Sequence, residues 1–109
     1  IVSALQLQVL AGQSALQREV TGGYASDLLS CVMARARAGN IWVTLQAHAN
    51  VVAVASLLGL AGVIISEGVR PDQATCQKAE SEGVPLLSTP ETTYAVVARL
   101  ARLGVEAGV

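Results

Sequence analysis

The chain has 109 residues, of which 52% are hydrophobic and 14% charged, with seven basic and eight acidic residues for a net charge of −1. That composition excludes a disordered chain, which needs low hydrophobicity and high charge, and it lacks the positive excess of a nucleic-acid binder. The length suits one buried core and leaves little room for a second, so a single domain over residues 1–109 is expected.

Residues 1–5 read as the tail of a helix and residues 7–10 as a short apolar run closed by Ala11-Gly12. Thr21-Gly22-Gly23-Tyr24 reads as a glycine turn, because adjacent glycines permit positive φ and close backbone approach. Ser26 or Asp27 then caps a helix that carries Leu28, Leu29, Val32, Met33 and Ala36 at helical spacing and stops at Gly39. A strand follows over 41–45, a polar connection over 46–50, and a helix over 51–58 that is apolar nearly all round, as in a buried helix or an interface. Residues 62–65 form the next strand. Pro71 opens a helix that reaches Glu82 and stops at Gly83. Residues 85–87 form a short strand. Ser88 or Thr89 caps the last helix, with Pro90 at its start and Ser88/Glu91 at capping-box spacing. It runs to Gly104, and residues 104–109 are expected to form a loose tail.

Strand and helix alternate three times from residue 40 onward with short connections. The fold class is therefore α/β, a mostly parallel sheet flanked by helices in three layers. The long uncharged stretch between Arg37 and Glu67 invites a membrane reading. Its densest part, residues 51–65, is too short for a span and is punctuated by Gly59 and Gly62, so no membrane segment is expected. Cys31 and Cys76 lie far apart without a Cys-x-x-Cys pair or a Cys/His cluster. That argues against a disulfide framework or zinc site and fits a reducing cytoplasm. The chain opens on Ile1 rather than Met, which leaves room for a preceding targeting segment.

Chemistry in an open α/β sheet belongs beyond the carboxyl ends of the strands. Those ends hold Gln46, His48 and Asn50, then Ser66, Glu67 and Gly68, then Ser88 and Thr89. Helix N-termini at Asn50, Pro71 and Pro90 offer free N–H groups to an anion, while the same residue types also serve as plain caps. The Thr21–Tyr24 turn could present its N–H groups to an anion or partner, or simply let the chain pack tightly. Thr21, Gly22, Gly23, Tyr24, Ser26, Asp27, His48, Asn50, Ser88 and Thr89 are thus the candidate ligand-binding or interface residues. No phosphate-binding Gly-x4-Gly-Lys-Ser/Thr loop, metal cluster or nucleophile triad occurs, so no enzyme and no cofactor are expected. The alternative is an enzyme of unknown type built on His48, the single histidine, with Glu67 or Asp27.

The run from Arg18 through Thr21-Gly22-Gly23-Tyr24-Ala25-Ser26-Asp27-Leu28-Leu29-Ser30 resembles the hallmark of the DRTGG domain family. Val32-Met33, Trp42-Val43-Thr44, Gln46 to Asn50, Gly62 to Ile65 and Pro85 to Thr89 extend the likeness over residues 1–104. The chain departs from the name motif at Gln17-Arg18-Glu19-Val20, where Arg18 is kept but no acid precedes it. The resemblance implies a fold similar to the N-terminal domain of HPr kinase/phosphorylase. It also implies a regulatory and dimerising role of the kind such domains play beside phosphotransacetylase or between CBS domains in regulatory pyrophosphatases. The kinase's phosphate-binding loop lies in a separate domain, so kinase activity is not implied. The expected function is a non-catalytic homodimeric module that senses a small anionic or nucleotide ligand.

Overall fold

The computed structural model of the chain describes residues 2–17 and 19–107. A short helix α1 (Val2–Leu5) leads into strand β1 (Gln8–Ala11), followed by β2 (Gly22–Ala25), α2 (Leu29–Arg35), β3 (Asn40–Thr44) and α3 (Ala49–Leu58). Then come β4 (Gly62–Ile65), α4 (Gln73–Glu82), β5 (Leu86–Ser88) and α5 (Thr93–Arg102). The five strands form one sheet in the order β1-β5-β4-β3-β2. β2, β3, β4 and β5 run parallel, and β1 lies antiparallel on β5.

Alternation along the central strands dictates the layers. Every residue of β3 and β4 is buried, so both faces of the sheet need cover. Trp42, Val63, Ile65 and Leu86 point to one face and pack with Val32 of α2, Val51, Val52 and Ala55 of α3 and Ala79 of α4. Ile41, Val43, Ile64 and Leu87 point to the other and pack with Leu5, Leu7 and the α5 residues Val96 and Leu100. Only one face of α3 (Val51, Val52, Ala55) is buried in the first cluster; Ala53 and Leu57 on its other face are exposed, so burial explains part of its apolarity. Trp42 is fully buried, and its indole Nε1–H donates to the Ser26 carbonyl at 2.9 Å, so the polar edge of the ring is satisfied.

Four expectations need correction. Thr21-Gly22-Gly23-Tyr24 is not a turn: Gly22, Gly23, Tyr24 and Ala25 are extended and pair with Asn40, Ile41, Trp42 and Val43. Glycine is a poor strand former in general, but in a strand it marks close backbone approach. Here the chain beyond α5 closes on the strand. The Gly23 N–H donates to the Glu106 carbonyl at 2.8 Å, and a Cβ on Gly23 would lie 3.3 Å from Val105 Cγ1. The tail expected to be loose is therefore pinned through Val105, Glu106 and Ala107, covering part of an edge that would otherwise expose unpaired groups. The expected caps and starts also move. Leu28 rather than Ser26 or Asp27 precedes α2, with no side-chain cap; α4 starts at Gln73 behind an Asp72 cap rather than at Pro71, and Thr92 caps α5 in place of Ser88 or Thr89. Leu28 and Met33 are exposed rather than core.

Gly12 shows how tightly β1 is seated. It has φ +71°, its N–H donates to Glu80 Oε1 at 3.1 Å, and a Cβ there would fall on the Val84 carbonyl. Gly83 has a similar φ of +67° but open space around it. Gly83→Ala should therefore cost only the left-handed conformation, about 1 kcal/mol. Gly12→Ala adds a collision with backbone that cannot swing aside and should cost about 2–4 kcal/mol. Urea denaturation of both variants checks this, and equal losses would refute the packing account.

Candidate functional site

The carboxyl ends of the parallel strands gather most of the candidate residues, and nearly all of them hold the chain's own groups. Asp27 does not cap α2. Its Oδ1 accepts from Thr44 Oγ1–H and from the Leu45 N–H, both at 2.8 Å, which ties the exit of β2 to the exit of β3. Gln46 completes the knot by donating Nε2–H to the Asp27 carbonyl at 3.2 Å. Ser26 Oγ accepts the Leu28 N–H at 3.2 Å, and Tyr24 OH donates to the Cys31 carbonyl at 3.4 Å. At the other end of β2, Thr21 Oγ1–H donates to the Ala38 carbonyl at 3.0 Å and Oγ1 accepts from Asn40 Nδ2–H at 3.3 Å. The Thr21 N–H donates to the Gly39 carbonyl at 2.9 Å. The hallmark stretch thus fastens β2 to β3 at both ends. Arg18, part of the hallmark, lies outside the described residues.

His48 is the N-cap of α3, its Nδ1 accepting from the Asn50 N–H at 3.1 Å. Glu67 sits in a left-handed conformation with φ 64° and its Oε2 accepts the Thr93 N–H at 2.8 Å, steadying the start of α5. Ser66 Oγ and Thr93 Oγ1 share a hydrogen bond at 2.6 Å. The groups of the His48-centred alternative are therefore spread over different anchoring tasks: His48 on α3, Asp27 on β3 and Glu67 on α5. No hydrogen bond joins His48 to either acid among the described residues. No group of three or more metal-binding side chains occurs among the described residues, nor any helix long and apolar enough to cross a membrane.

Asp72 caps α4, accepting the Thr75 N–H at 2.8 Å. The Thr75 backbone N–H, then its hydroxyl, hold the Asp72 carboxyl below its ordinary value of 3.8, with the nearby His48 adding to the effect. Burial raises the Cys76 thiol, and the Asp72 charge raises it further. Cys76 and Cys31 are both free and half-buried.

Ser88 and Thr89 end β5. The Thr89 N–H donates to the Ile65 carbonyl at 3.0 Å, the Thr89 carbonyl accepts the Gly68 N–H at 3.1 Å, and Thr89 Oγ1 accepts the Glu91 N–H at 3.2 Å. They open on a hollow of about 330 Å³ that also reaches Arg70 and, across the β1 edge, Gln6 and Gln8. The sequence reading passed over Arg70, although it is the only Lys or Arg between residues 38 and 77 and follows directly on the β4 exit loop. It also missed Gln6 and Gln8, since only the antiparallel pairing of Gln8 with Ser88 brings β1 to this end. A second hollow, of about 420 Å³ and mostly apolar, runs beside α5 past Val97 and Ala101 to Gly23, Tyr24 and Val105.

The family model of the DRTGG domain matches residues 1–103, almost the whole chain. The protein belongs to the DRTGG domain family. This DRTGG domain is similar in fold to the crystal structure of the CBS and DRTGG domains of the regulatory region of Clostridium perfringens pyrophosphatase, complexed with the activator diadenosine tetraphosphate. The TM-score is 0.68 at 11% sequence identity, over 91% of this chain and 43% of the other. No curated protein matches. In this chain the two glycines of the name-giving Thr-Gly-Gly thus open strand β2, which is hydrogen-bonded to β3 on one side and, through Gly23, to Glu106 on the other.

Two outcomes follow. If His48 acts as a cap, His48→Ala lowers stability by about 0.5–1 kcal/mol while His48→Ser restores or exceeds the original value, as read by chemical denaturation. The Asp72 cap is pH-dependent in a fixed direction. A carboxyl whose folded value is depressed contributes stability above its unfolded value and loses it as the pH falls through the folded one. Asp72→Ala should therefore melt below the parent at pH 7, and the gap should shrink once the pH drops below 3.8.

Proposed function

We propose that this DRTGG domain is a non-catalytic regulatory module that senses a small phosphorylated or nucleotide ligand and works as a homodimer. The observation that carries the reading is the fold match over 91% of the chain to a regulatory region that binds a nucleotide activator. The polar groups at the strand ends agree with it. His48, Asp27 and Glu67 are engaged in holding the fold, and no hydrogen bond pairs His48 with either acid among the described residues.

The dimer reading rests on α5. Tyr94, Val97 and Ala101 fall on one helical face, and Tyr94 is 85% exposed and Val97 40%. Val97 and Ala101 line the apolar hollow that reaches Gly23 and Val105, and Tyr94 stands one turn before Val97 on the same face. An exposed apolar face beside an apolar hollow is the mark of an association surface, and a twofold axis would let the Tyr94 ring of each copy fill the hollow of the other. The free cysteines fit the cytoplasm as the site of action.

A thermal-shift screen with nucleotides, diadenosine tetraphosphate and phosphorylated metabolites tests the sensing half. A ligand at 100 times its Kd adds about 2.7 kcal/mol, on the order of 10 °C for a domain of this size. No shift with any of them would overturn it. Sedimentation at micromolar concentration tests the dimer: the parent should sediment as a dimer and Tyr94→Lys as a monomer, while a monomeric parent would sink it.

A further inference from the structure

The hollow at the end of β5 has a chemistry that the fold itself does not use. Ser88 is 8% exposed, yet its hydroxyl has no hydrogen-bond partner among the described residues. No fully enclosed side-chain nitrogen or oxygen among the described residues lacks a partner. The Ser88 hydroxyl must therefore be reached from outside, and the surface that reaches it is this hollow. A nearly buried hydroxyl left to water contributes nothing to folding.

Beside it, Thr89 is 4% exposed, and its Oγ1 accepts from the Glu91 N–H but still has its own proton to give. Arg70 lines the same hollow and forms no ion pair; among the described residues the ion pairs are Lys78–Glu82 and Arg99–Glu91. The two acids closest in sequence are both turned to other work, Glu67 on the Thr93 N–H and Glu91 on Arg99. The lining therefore holds one unpaired guanidinium, two hydroxyls and the carboxamides of Gln6 and Gln8, with no carboxylate. A guanidinium fork with flanking hydroxyl donors suits a phosphate. Carboxamides suit the hydroxyls of a small polar body. The volume of about 330 Å³ is near the low end for small-molecule sites, about 300–1,000 Å³, which favours one phosphate on a small body over a dinucleoside polyphosphate.

We infer that this hollow binds a small phosphate monoester, with Arg70 holding the phosphate and Ser88 and Thr89 donating to it. The inference deepens the ligand-sensing reading and rests on it. It also moves the ligand away from the Thr-Gly-Gly strand, to the opposite side of the sheet.

Backbone amide NMR of the whole chain tests it, with inorganic phosphate and then glycerol 3-phosphate as probes against sodium chloride at matched ionic strength. The expected result is a saturable shift confined to residues 67–70, 88–89 and the start of β1. Arg70→Gln should weaken it about tenfold or more. Ser88→Ala should weaken binding while leaving the melting temperature of the free protein unchanged or higher, because no protein contact is lost. Shifts matched by chloride, shifts centred elsewhere such as residues 48–50, or a Kd indifferent to Arg70→Gln would each overturn the site. The two readings fail separately. A ligand that raises the melting temperature equally in the parent and in Arg70→Gln overturns this site and leaves sensing intact. Saturating binding at this site that leaves the amide spectrum outside the hollow and the oligomeric state unchanged overturns the regulatory reading and leaves the site intact.

Discussion

Two-sided burial of β3 and β4 is the constraint from which the architecture follows. Nine strand positions, five in β3 and four in β4, with no face to water require a helical layer above and below. The chain supplies three helices to one face through the successive β-α connections and returns α5 over the other. Once that is fixed, the carboxyl ends of four parallel strands and the N-termini of the four helices that follow them must share one rim. The polar side chains there have many unpaired backbone donors within reach. Most of them are used up on those donors, as at His48, Glu67, Asp72 and Thr92.

The hallmark stretch takes on a structural meaning in this setting. Thr21 fastens the start of β2 to the α2–β3 loop, Gly23 admits the chain that follows α5, and Asp27 knots the ends of β2 and β3 together. An edge strand with two glycines and four residues would be weak by itself. These side-chain ties at both ends and the carbonyl of Glu106 on its outer side keep it paired. A motif so fully occupied in holding one edge of the sheet has little left to offer a ligand. The unspent groups, Ser88 and Arg70, lie toward the opposite edge. On the reading proposed above, the domain thus divides its labour across the sheet: β2 and α5 for integrity and association, β5 and β1 for recognition.

The buried strands and the three helices of the β-α units were legible because their signals are local. Residues 41–45 and 62–65 are short apolar runs bounded by glycine, and Gly59 and Gly83 end helices in the left-handed conformation expected of helix stops. The starts of α4 and α5 were read early, at Pro71 for Gln73 and at Pro90 for Thr93, and that of α3 late, at Val51 for Ala49. Several Ser, Thr and Asp residues compete for each cap, and sequence does not say which of them the fold already claims. Asp27 looked like a cap because its type is a cap type; Thr44, seventeen residues away, decides otherwise.

By itself the sequence determined the class of the fold, the alternation of its later elements, the family and the absence of the known catalytic motifs, all of which depend on spacing along the chain. The tertiary structure alone decided that Gly22 and Gly23 open a strand and that residues 105–107 are held. It also decided that Arg70, Ser88 and the β1 glutamines face one hollow. Each of those rests on pairing between segments distant in sequence: β2 with residues 105–107, and β1 with β5. Glycine has no side chain to declare which way its backbone will go, so the partner that approaches it makes the choice.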